Sequence, residues 1–213
     1  MIHYPFKEPC LAVAPPLPYP VVRHAAAVGA LLIPLLLACG EPGPAFAEAD
    51  AVLCEPDPSG SVVFQPLPMR APPPAVTTGS VPHRQIDPDI IPAVIEELHA
   101  RVFDLSEVEP RQSTIVSDAT AIWIRREINI ARPECIISGR EVAHIHLDGS
   151  LHAVVPHGRI PDAESAGWVE RHPWAELEPG FEAFVLIFSL RSSEEVDVAL
   201  ELVINGLDFV IGS

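Results

Sequence analysis

The 213-residue chain contains a single lysine, Lys7. Everything after that position is lysine-free, which excludes a Schiff-base lysine, a P-loop lysine and a Ser–Lys dyad from any downstream domain. Positive charge is scarce in general: 13 Lys and Arg stand against 29 Asp and Glu, for a formal net charge of −16. No basic patch is visible, and this balance argues against nucleic acid and anionic membrane surfaces as partners. The sequence also lacks a GxGxxG fingerprint, a GxSxG nucleophile elbow and an HExxH zinc motif. The apolar run from Ala25 to Ala38 has 14 residues, too short to span a bilayer comfortably.

That run suits the core of a signal peptide, with Arg23 and His24 as its basic flank. Two processing patterns follow it. Leu36 to Cys39 reads LLAC, which looks like the lipobox of bacterial lipoproteins, so Cys39 is the expected lipidation site. Ala45 to Ala47 reads AFA, an ordinary A-x-A cleavage pattern. The lipobox is favoured because it abuts the apolar run. The proline-rich stretch ahead of it is long for a signal n-region, which a start of translation at Val21 or Val22 would explain. The expectation is an exported protein of the cell envelope, periplasm or exterior, touching membrane through a lipid anchor only.

Proline is abundant. Most of the 25 prolines precede residue 93. Three segments follow from composition: residues 1–39 as export segment, 40–88 as a proline-rich linker, and 89–213 as the folded domain. Export leaves Cys54 and Cys135 as the mature cysteines. An oxidising compartment permits them to pair as a disulfide or to stay as two thiols.

Within the domain, Asp89 is a candidate N-cap with Pro92 in the first helical turn, and Ile91, Val94, Ile95, Leu98 and Val102 form one apolar stripe. Ser113 to Ile124 is β-rich, and Glu134 to Leu147 and Ser150 to Pro156 flank an Asp148-Gly149 hairpin signal. A short helix should end at Gly167, and FEAFVLIFSLR reads as a strand covered on both faces. Ser192 with Glu195 makes a capping box for a last helix closed by Asn205-Gly206. The order α-β-β-β-α-β-α implies an α+β domain with a mainly antiparallel sheet of about four strands and flanking helices.

The most informative stretch is REVAHIHLDGSLHAVVPHG, residues 140–158, with His144, His146, His152 and His157 among the nine histidines. On a strand His144 and His146 share a face with Val142 and Arg140. A two-residue loop at Asp148-Gly149 sends His152 to the opposite face; a three-residue loop, Asp148 to Ser150, pairs it with His146 and gathers three imidazoles. Three chemistries fit. The cluster could hold Zn²⁺ or Fe²⁺, although the carboxylate that follows a cupin HxH is missing. It could line a metal-free pocket in which histidine acts as base or orients a substrate. Or it could be a solvated strand face.

Further motifs carry a family resemblance. REVAHIH, SLHAVV, AGWVERHPWA, the apolar strand and SSEEVDVALELV, in that order over roughly residues 88 to 212, resemble the luciferase domain of bioluminescent fungi and its bacterial relatives of unknown function. The matched positions are His144, His146, His152, Trp168, Arg171 and His172. The chain departs by a hairpin loop two residues shorter and by PWAELEPG in place of a Pro/Gly-rich run. Fungal luciferases add O₂ to a hydroxylated α-pyrone without a required cofactor. The resemblance therefore implies a small-molecule ligand, no cofactor and no resident metal. It further implies His144, His146, His152 and His172 as catalytic candidates converging on one pocket, His172 being forced into extended backbone by Pro173. Trp168 would be a stacking wall, and Arg140 or Arg171 a partner for an anionic oxygen. A non-catalytic envelope-associated binding module and a His-cluster metal protein are the alternatives.

Overall fold

The computed structural model describes residues 52–57, 62–136 and 138–213. The export segment, Cys39 and both cleavage patterns lie outside the described residues. The helices are α1 (Pro92–Val102), α2 (Ile160–Ser165) and α3 (Ser193–Ile211). The strands are β1 (Val108–Gln112), β2 (Thr120–Ile124), β3 (Glu141–Ile145), β4 (Leu151–Val154), β5 (Val169–Arg171) and β6 (Phe184–Ile187). The strands form one antiparallel sheet in the order β1-β2-β3-β4-β6-β5, so the architecture is α+β with six strands where composition and pattern indicate about four. The two additional strands are the sheet edges. β1 buries only Val108 and carries Pro110, and β5 has three residues, so neither shows the apolar alternation of a central strand.

Alternation sorts the sheet into two faces. Ile122, Ile124, Ala143, Ile145, Leu151, Ala153, Val185 and Ile187 join one apolar core with Leu98 and Val102 of α1 and Val196, Ala199, Leu202 and Val203 of α3. Gly206 does not end α3. The helix continues to Ile211 and stops at Gly212, whose φ of +77° supplies the left-handed cap. A Cβ on Gly206 would lie 1.9 Å from the Val154 carbonyl oxygen, so glycine here lets α3 lie directly on β4. Ser192 caps α3 by accepting from the Glu195 amide. The reciprocal half of the capping box is absent: Glu195 instead accepts from the Arg191 amide and from the guanidinium groups of Arg191 and Arg70. Asp89 does not cap α1; Ile91 occupies that position with no side-chain bond, and Pro92 starts the helix.

Residues 62–88 have almost no regular structure, yet they lie against the domain as a strap. Leu67 is buried. Trp168 Nε1 donates to the Pro68 carbonyl at 2.6 Å, Arg70 donates to the Ser189 carbonyl at 2.6 Å, and Arg159 donates to the Gln65 carbonyl at 2.5 Å. Proline-rich backbone leaves many carbonyls without a partner of their own, and here buried Arg and Trp side chains supply the donors. An irregular turn, closed by Ile86 N–H to Val76 O at 2.7 Å, presents His83 to the sheet. Cys54 and Cys135 form a disulfide that ties the start of this region to the domain.

Candidate functional site

β3 and β4 pair His144 with His152 and Ile145 with Leu151. The connecting turn is Leu147 to Gly149, closed by His146 N–H to Ser150 O at 2.9 Å. Gly149 has φ +78° and Asp148 Oδ1 accepts from the Ser150 amide, which explains the Asp-Gly signal. A three-residue turn is therefore present, one position earlier than Asp148 to Ser150. The pairing shifts by two residues, which preserves facing, so His144, His146 and His152 share one side.

A bulge adds a fourth group. Ile122 opposes Ala143 but Trp123 opposes Glu141, so β3 carries one extra residue, Val142. Val142 turns into the apolar core, and Glu141 moves to the histidine face, which regular alternation assigns to Val142 and Arg140. Glu141 is fully buried. Its carboxylate accepts from His144 Nδ1 at 2.9 Å, Ser113 Oγ at 2.6 Å, and the amide and hydroxyl of Thr114 at 2.9 Å each. Burial alone would raise its pKa, but these donors outweigh it and hold the carboxyl below the usual range.

His172 arrives from the far edge of the sheet, just after β5. Pro173 keeps it extended at φ −66°, ψ 140°, and its Nδ1 accepts from the Trp174 amide at 3.1 Å. Ring centroids lie 5.2 Å apart for His144 and His152, 4.8 Å for His146 and His152, and 4.9 Å for His152 and His172. His83 of the strap is a fifth member, 5.5 Å from His152 and 5.1 Å from His172. With Trp174 and Phe184 these rings line a cavity of about 280 Å³. His157 is elsewhere, in a hollow beside Phe209 that gathers no second imidazole among the described residues.

Three of these rings resist protonation at neutral pH. Burial first, and then the neighbouring imidazoles, push His146 and His172 down to about 4 and His152 well below its ordinary value.

Three expected binding residues are not in this cavity. Trp168 is packed under Arg70 and bonded to Pro68, where it fastens the strap. Arg140 spends its guanidinium on the carbonyls of Ile124, Arg125 and Ile128. Arg171 reaches the Glu182 carbonyl and Glu164. Trp174 takes the aromatic position expected of Trp168. His83, Glu141 and Phe184 are the residues that sequence reasoning missed. His83 sits in a proline-rich stretch without periodicity, and Glu141 is brought in only by the bulge.

A family model, the luciferase domain, matches residues 139–205. The chain resembles the luciferase-domain family. The match spans β3 through most of α3 and includes Glu141, His144, His146, His152 and His172. His83, α1, β1 and β2 lie outside the matched residues. No curated protein and no solved structure matches the chain.

Proposed function

We propose that this luciferase-like domain binds a small aromatic or enolic molecule in the histidine-lined cavity and adds dioxygen to it. The observation that carries this reading is the convergence of five imidazoles with Trp174 and Phe184 around one cavity of about 280 Å³. Isolated surface histidines have no reason to approach one another, whereas a ligand pocket needs a few polar groups set in an apolar wall. Trp174 and Phe184 offer faces for stacking a planar ring. His172, whose Nδ1 accepts from the Trp174 amide, carries its proton on Nε2 and serves as a donor to a substrate oxygen.

Oxygen uptake with a panel of hydroxypyrones and catechols tests the proposal. Substrate-dependent consumption that falls on Trp174→Ala supports it. Saturable binding without uptake would make the domain a non-catalytic binding module, and neither binding nor uptake would reject the pocket reading.

Export with lipid attachment at Cys39 is part of the same proposal, and the Cys54–Cys135 disulfide supports an oxidising compartment. A Cys39→Ala variant should lose membrane association; membrane partitioning that persists after processing would reject the lipid anchor.

A further inference from the structure

The hydrogen bonds of the cluster do not balance with neutral rings alone. A line of contacts runs from Glu141 to His144 Nδ1 (2.9 Å), from His144 Nε2 to His152 Nδ1 (3.2 Å), from His152 Nε2 to His83 Nδ1 (3.4 Å) and from His83 Nε2 to Glu170 Oε1 (3.1 Å). A neutral imidazole has one N–H, and a carboxylate only accepts. Three neutral rings supply three protons for these four contacts, so one contact is left with two lone pairs facing each other. A cation held between the rings would supply the missing partner.

We propose that the cation is a divalent first-row transition metal ion, bound by His144 Nε2, His146 Nε2 and His152 Nδ1. One ring nitrogen from each of these residues can be chosen so that all lie within 4.8 Å of one another. The tautomers agree. Glu141 fixes the proton of His144 on Nδ1, which frees Nε2. Ser150 Oγ donates to Asp148 Oδ1 at 2.7 Å and so accepts from His146 Nδ1 at 2.9 Å, which frees Nε2 of His146. With the metal in place, the His152 proton moves to Nε2 and donates to His83 Nδ1, and His83 Nε2–H donates to Glu170. Every lone pair then has a partner, and each ring remains neutral with one N–H.

Each ligand has its far nitrogen held by an outer group: Glu141, Ser150 and His83. Such partners orient imidazole ligands and raise their basicity in metal sites. The neighbouring trio of His83, His152 and His172 also lies close together. It does not suit a metal, because His172 has committed its Nδ1 lone pair to the Trp174 amide and keeps its proton on Nε2. Three imidazole ligands leave a position for water or a substrate oxygen on the cavity side. The absence of a cofactor is implied by family resemblance, and the proton count is a property of this chain. The site stands whether or not the pocket oxygenates anything.

The test uses tagless exported protein stripped with a chelator, then titrated with Zn²⁺ and Co²⁺ without substrate. The expected result is 1:1 binding, a raised melting temperature, and Co²⁺ visible absorption characteristic of imidazole ligation. His146→Leu and His152→Leu should each weaken binding about 100-fold or more, and Glu141→Gln about 10-fold or more. His157→Ala should bind as the parent does. The wild-type titration stands even if a variant fails to fold. Absence of 1:1 binding, or binding that survives both His146→Leu and His152→Leu, overturns the proposal. Nitrogen NMR that finds a charged imidazolium at neutral pH in stripped protein that ignores metal assigns the gap to a proton and overturns it too.

Discussion

The two faces of the β3–β4 hairpin come from the same two strands, and both are largely buried. One face, with Ala143, Ile145, Leu151 and Ala153, lies under α3 and is closed by apolar packing. The other, with Glu141, His144, His146 and His152, lies under irregular segments and is closed by hydrogen bonds. The difference lies in what each face demands of its cover. Apolar packing needs shape only, and a regular helix provides it. A buried polar face needs specific donors and acceptors at specific points, so its cover comes from turns and loops, where backbone and side chains can be aimed one at a time.

Substitutions on the two faces should separate these roles. The largest effect is expected at Gly206→Val. A side chain there collides with the β4 backbone, and denaturant titration should show a loss of about 3 kcal/mol or more, at the top of the range for overpacking. Leu151→Ala comes next. This fully buried residue of the apolar face should lose about 2–5 kcal/mol while the folded fraction keeps normal metal affinity. Glu141→Ala should lose about 1–3 kcal/mol, since the hydroxyls of Ser113 and Thr114 and the ring of His144 would be left without their acceptor. His152→Leu should be the mildest, near the low end of about 1–3 kcal/mol, because leucine keeps the packing on Phe184 and the two contacts it strands, to His144 Nε2 and His83 Nδ1, are long at 3.2 and 3.4 Å. If His152→Leu proves more destabilising than Leu151→Ala, the polar face is a structural core and the contrast fails.

Much of the apolar face was legible from sequence, because its signal is periodicity. The α1 stripe, the buried β6 strand and the Ser192 cap follow from spacing alone. The gathering of His144, His146 and His152 was legible as one of two options, since an odd-length turn at Asp148-Gly149 brings His152 to their face and a two-residue turn sends it away. Two kinds of feature were hidden. The first is local irregularity: the bulge at Val142 reverses the facing of Glu141, and no pattern in REVAHIH marks where an extra residue is inserted. The second is long-range: His83 lies 69 positions from His152, and proline-rich composition indicates only the absence of regular structure. Asn205-Gly206 misled for a related reason. Glycine before a helix end and glycine at a close helix–strand contact look the same until the neighbour is known, and the neighbour here is Val154.

The strap also imposes an order in time. Residues 62–88 leave the ribosome before the surfaces that hold them at Arg159, Trp168 and Ser189 have been synthesised. Closing contacts over such separations costs more chain entropy than pairing the local hairpin. His83 cannot complete the cluster until that later chain has been made, and the Cys54–Cys135 bond spans 81 positions. Until the strap docks, the hairpin imidazoles stand open to solvent, and the newly made chain has its widest entrance for whatever the finished cavity will hold.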